Sequence, residues 1–192
     1  MRKVTLDDIV GLSRYAAMRD EFRRKTIALK RDRRVSIGDS VTLVFENFDT
    51  VLFQVQEMLH VERISDIDKV REECDVYNEL LPADGELSAT LFVEITDPER
   101  IADALNRLVG IDEHVALRIG GRAYPARFEA GRSRADRISA VQYLRFPLDE
   151  PGMRLLRERG TSVEVVIDHP NYIGSTQLAE SQRASLAADL AA

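Results

Sequence analysis

Apolar positions recur at helical intervals through most of the first eighty residues and alternate with polar ones through much of the rest. Thr5-Leu6-Asp7-Asp8 has the form of an N-cap followed by acids in a first helical turn. A helical run follows over about Ser13–Arg33, with Tyr15, Met18, Phe22, Ile27 and Leu29 as its apolar positions. Gly38-Asp39 marks a turn, and Val41–Phe45 is short, apolar and partly β-branched, which predicts a strand. Glu46-Asn47-Phe48-Asp49 then leads into a helix over about Thr50–Ile64, whose expected core stripe is Phe53, Met58, Val61 and Ile64. Ser65–Asp68 caps a further helix that runs to about Leu81 and stops at Pro82.

Asp84-Gly85 is a turn, and Leu87–Ile95 is the clearest strand pattern in the chain. Asp97-Pro98-Glu99 starts a helix that ends at Gly110. His114–Ile119 and Arg122–Phe128 flank Gly120-Gly121, a tight-hairpin signal because glycine accepts positive φ without steric cost. Arg137–Phe146 alternates as a long strand, Pro151–Arg159 is a short helix, Ser162–Ile167 is a strand, and Ser175–Leu190 is an alanine-rich terminal helix. Hairpin connections among about six strands predict an α+β fold, with a mainly antiparallel sheet, helices packed on it and a helix-rich N-terminal half. A single domain over residues 1–192 is expected, with a subdomain seam near residues 83–86 as the one division the pattern suggests.

Composition narrows the setting. The chain has 192 residues, 44% hydrophobic and 31% charged, with a net charge of -6 and a pI near 5.2. That balance builds a sizeable core and argues against wholesale binding to nucleic acid or to acidic membranes. No apolar run approaches the roughly 20 residues that span a bilayer, and Met1–Val10 lacks the form of a signal peptide. A lone Cys74 excludes an intramolecular disulfide, and the simplest compartment is the cytoplasm.

The stretch QVQEMLHVERI, residues 54–64, carries the sharpest chemical suggestion. Glu57 and His60 are three apart, share a helix face and could reach one metal ion. Ferritin-like di-iron sites use two such pairs and two further glutamates; a second pair is missing here. The simpler reading makes Glu57, His60 and Arg63 a polar row along the edge of a packing helix. His114 and His169 lie at strand ends, and with Glu57 and His60 they form the candidate ligand set for iron or zinc. Acids at Glu72, Glu73 and Asp75 surround Cys74 and make it a poor nucleophile. No nucleophile elbow or phosphate-cradling glycine loop is present, and no tightly bound organic cofactor is expected.

Two further groups stand out. Arg19, Arg23, Arg24, Lys25, Lys30, Arg31, Arg33 and Arg34 make a basic run, and Arg19, Arg23, Arg24, Lys30 and Arg31 are its candidate contacts to nucleic acid or an acidic protein. The competing reading is a solvated helix face. Glu46, Asn47, Gln54, Glu57, Tyr77 and Asn78 form a candidate polar cluster around the strand-to-helix turn. These residues either line a ligand pocket or fasten strand and helices together, with Tyr77 and Asn78 as the expected partners of Gln54 and Glu57.

Three segments carry a family resemblance: Phe45-Glu46-Asn47 with Thr50–Leu59, Tyr77–Pro82 with Glu86–Glu94, and Ser139–Phe146. Together they resemble a bacterial family known only as a domain of unknown function, over nearly the whole chain. Its members are often encoded beside rubrerythrin-like proteins and iron–sulfur oxidoreductases of the heterodisulfide-reductase type. The resemblance implies an accessory protein that partners a non-haem-iron or iron–sulfur redox protein by protein–protein contact. A metal-binding protein or metalloenzyme using Glu57, His60, His114 or His169 is the alternative, and nucleic-acid binding through residues 19–34 a third. A homodimer formed through a strand edge or the terminal helix is also open.

Overall fold

A computed structural model of the chain describes residues 1–129 and 138–190. Among the described residues nine strands form two sheets in which every neighbouring pair is antiparallel. The first sheet has the order β1 (Arg34–Ile37), β2 (Val41–Phe45), β3 (Glu86–Val93), β7 (Val141–Pro147), β6 (Arg127–Phe128). The second has the order β5 (Arg122–Pro125), β4 (Val115–Ile119), β8 (Val163–His169), β9 (Tyr172–Gln177). The helices are α1 (Leu12–Arg31), α2 (Phe48–Val61), α3 (Ile67–Asn78), α4 (Ile101–Arg107), α5 (Glu150–Arg157) and α6 (Glu180–Asp189). The α+β expectation is met, with two sheets in place of one.

One core cluster lies between the sheets. Leu43, Leu87 and Leu91 from the first sheet join Leu117, Val165 and Ile167 from the second, with Leu156 of α5 and Leu186 of α6. A second cluster packs Val51, Val55 and Leu59 of α2 with Val70 and Cys74 of α3 and with Val4. The first sheet is thus covered on both faces, and every residue of β2 is buried, which explains its unbroken apolar run. Along β3, Leu87, Ala89 and Leu91 enter the inter-sheet core, while Ser88 and Thr90 turn their hydroxyls to the helices.

Several sequence expectations need correction. Residues 34–37, given no element between the helix expected to end near Arg33 and the turn at Gly38-Asp39, form β1. The predicted terminal helix begins five residues later than Ser175, at Glu180, and Tyr172–Gln177 is a strand. Arg127–Phe128 leaves the expected hairpin and joins the other sheet beside β7. The start of the strand predicted from Arg137 lies outside the described residues. In α2 the buried stripe is Val51, Val55 and Leu59, while Val61 is 63% exposed. In α1, Tyr15 is fully buried but Ile27 is exposed, because the helix meets the body along one narrow stripe.

Candidate functional site

The polar residues flagged around the strand-to-helix turn go to different partners. Asn47 caps α2: its side-chain oxygen accepts from the Thr50 backbone N–H, and the Thr50 hydroxyl accepts from the Asn47 backbone N–H. Glu46, one residue earlier, points a buried carboxylate between strand and helix. It accepts from the Thr50 hydroxyl at 2.5 Å, the Gln54 amide at 3.2 Å and the Thr90 hydroxyl at 2.6 Å. Thr90 and its cross-strand partner Tyr143 place β3 and β7 in the same neighbourhood.

Glu46 and Tyr77 line one cleft, of about 690 Å³, between α3 and the β3–β7–β6 face of the first sheet. Val76 and Leu80 line one side, Tyr143 and Arg145 the sheet, and Arg127, Phe128 and Glu129 the rim. Arg145 is committed to structure. It donates to the carbonyls of Leu81 and Glu79, closing the C-terminal end of α3, and pairs with Glu86. Ser88, opposite Arg145 in register, donates to the Leu80 carbonyl at 2.6 Å. The volume lies in the ordinary range of ligand recesses, and the lining mixes apolar, aromatic and charged groups.

Glu57 and Asn78 belong elsewhere. Glu57 accepts from Arg19 through both oxygens, at 2.8 Å each, and from the Tyr15 hydroxyl at 2.8 Å. The Arg19 hydrogen bonds, with that of Tyr15 and against the effect of burial, hold its carboxyl down at about 2. Burial and the Glu57 carboxylate push the Tyr15 phenol up. Asn78 grips the backbone N–H and C=O of Val4, and Gln56, which is not in the candidate cluster, grips Val10 in the same way. The expected pairing of Gln54 and Glu57 with Tyr77 and Asn78 is therefore replaced by Glu46 for Gln54 and α1 for Glu57.

The four residues of the candidate metal set are not assembled. His60 rests edge-on against Tyr15, 5.7 Å between ring centroids, at the α1–α2 seam. His114 and His169 meet edge-on at 5.2 Å beside the second sheet. His169 uses both ring nitrogens: Nε2 bonds the Val109 carbonyl at 3.0 Å, and Nδ1 accepts from the Asn171 amide at 3.2 Å. Among the described residues no group of three or more His, Cys, Asp or Glu is arranged to hold a metal ion. Cys74 is buried, and burial followed by the nearby acids pushes its thiol up.

The basic run is also divided. Arg19 is taken by Glu57, Lys25 by Glu21, and Lys30 lies over the Phe53 ring at 5.9 Å. Arg23, Arg24 and Arg31 are exposed. Arg33 has left the helix and is 1% exposed, donating to the carbonyls of Phe45 and Glu46 and pairing with Asp189 of α6. Nothing in the local sequence separates Arg33 from its neighbours; its partners lie up to 156 residues away.

The fold and the cleft define an α+β protein with a recess at the junction of helices and sheet. Residues 3–190 match the family described as protein of unknown function DUF3501, and the chain belongs to that family. A crystal structure from Burkholderia pseudomallei K96243, described as a novel protein of unknown function, is 36% identical and has a TM-score of 0.92. The alignment covers 98% of this chain and 100% of that one. No curated protein matches. Among the described residues no helix is long and apolar enough to cross a membrane.

Proposed function

We propose that this protein acts by binding, as an accessory partner of a non-haem-iron or iron–sulfur redox protein, and that the α3–β7 cleft is where the partner is recognised. The observation that carries this reading is the cleft itself: a recess of about 690 Å³ with the braced carboxylate of Glu46 inside it and aromatic side chains around it. Val76, 64% exposed, adds an apolar contact at the edge, of the kind that interface cores use. Support for a redox partner comes from the family resemblance and the rubrerythrin-like and iron–sulfur proteins encoded beside its members.

The test is co-purification of this protein with its neighbouring rubrerythrin-like and iron–sulfur proteins, followed by a titration of the purified pair. The reading expects a saturable complex that Val76→Asp and Tyr77→Ala weaken at least about tenfold, the loss of roughly 1.4 kcal/mol. Absence of a complex with every neighbour, or a complex indifferent to both substitutions, overturns it.

A further inference from the structure

The chemistry of the cleft points to its ligand, an inference that rests on the cleft being the working site but not on the partner being a redox protein. A carboxylate offers about four lone-pair positions. Thr50, Gln54 and Thr90 occupy three of those on Glu46, and all three donors are neutral. Among the described residues no cation lies within ion-pair distance of this carboxylate. A negative charge 4% exposed at the inner end of a recess, with one acceptor position open, is complementary to a cation that brings its own hydrogen.

The walls favour an organic cation over a bare ion. Tyr77, Phe128 and Tyr143 line the same space, and aromatic faces attract ammonium groups while covering methylene chains. The charge of the lining agrees: Glu73 and Glu79 accompany Glu46, whereas Arg145 is already satisfied by Glu86 and two carbonyls. Among the described residues Arg127 is the one other cation of the lining, and it is exposed. We propose that the cleft binds a primary alkylammonium group, the Glu46 carboxylate taking the charge and the aromatic residues the chain. Such a group is presented either by a lysine side chain of a partner protein or by a free amine.

The experiment is calorimetric titration of the full chain with n-butylammonium, 1,5-diaminopentane and N-acetyl-lysine methylamide, with butyrate as the charge-reversed control. The ammonium probes are expected to saturate and butyrate not to bind. Glu46→Gln, which keeps the shape, is expected to lower ammonium affinity at least about tenfold. Should Glu46→Gln fail to fold, amide-shift mapping on the unaltered protein decides: n-butylammonium must move the resonances of Glu46, Tyr77 and Thr90. Tighter binding of the lysine derivative than of the diamine supports a partner's lysine; the reverse order supports a free amine. No saturable ammonium binding, equal binding of butyrate, or shifts confined to another surface overturns the proposal. Ammonium binding without any redox-protein complex would keep this inference and remove the redox partner; a complex without ammonium binding would do the opposite.

Discussion

Thr90, in the middle of β3, donates its hydroxyl to the Glu46 carboxylate across 2.6 Å, tying the central strand of the first sheet to the turn that launches α2. A β-branched hydroxyl suits this place twice, since the branched Cβ fits the strand and the oxygen supplies the donor. Thr90→Val keeps the shape and removes the donor. It should cost roughly 1–3 kcal/mol in urea denaturation, because the buried carboxylate loses a partner. Thr90→Ser should recover most of that loss.

The Tyr15–Glu57–Arg19 cluster makes the α1–α2 seam sensitive to acid. Glu57 is held near 2 in the folded chain, below its ordinary 4.5. A lowered carboxyl value means the stabilisation is present above about 4.5 and fades as pH falls toward 2. Glu57→Gln should therefore destabilise by roughly 1–3 kcal/mol at neutral pH. The gap between the two proteins should close as denaturation is repeated at progressively lower pH within that window.

Arg33 and Asp189 bind the end of the chain to the start of α2. Their side chains are 1% and 8% exposed, and Arg33 spends its other donors on the Phe45 and Glu46 carbonyls and the Ser185 hydroxyl. Burial pushes the Asp189 carboxyl up, against the pull of Arg33. Arg33→Ala leaves a buried acid without its cation and two carbonyls without their side-chain donor, and should cost roughly 3–5 kcal/mol. Hydrogen exchange in α6 should accelerate in the same variant.

Gly152, in the first turn of α5, has no room for a side chain. An added Cβ would stand 2.5 Å from Cζ of Tyr124, whose hydroxyl donates to Asp149, the N-cap of the helix. Gly152→Ala should lower the thermal midpoint, with a cost of roughly 1–3 kcal/mol for the forced shift. Gly121, where nothing lies near, serves as the contrast: its cost there comes from its φ of 84° alone.

The elements legible in the sequence are those whose pattern is set locally. β2 and β3 announce themselves because both faces are buried. Asn47 and Asp66 act as N-caps where the sequence placed helix starts. β1 is hidden because Arg33 and Arg34 prolong a basic run that looks helical until one of them is seen buried. β9 is hidden because Gly174 and Ser175 sit beside an alanine-rich segment and alternate residues of the strand are exposed. Glu46 and Tyr77 could be flagged as polar groups near a turn. Thr90, Tyr143 and Arg127 could not be joined to them, since register across 44 residues and more brings them together.

The most direct test of the cleft as the working site is amide-shift mapping of the isotopically labelled protein during titration with rubrerythrin-like and iron–sulfur redox proteins, the proposed partners. The account predicts that the first resonances to move belong to Val76, Tyr77, Glu46 and Arg127, and that Val76→Asp suppresses the change. Perturbation confined to α1 around Ile27, or to the outer face of the second sheet around Ile173, would contradict it.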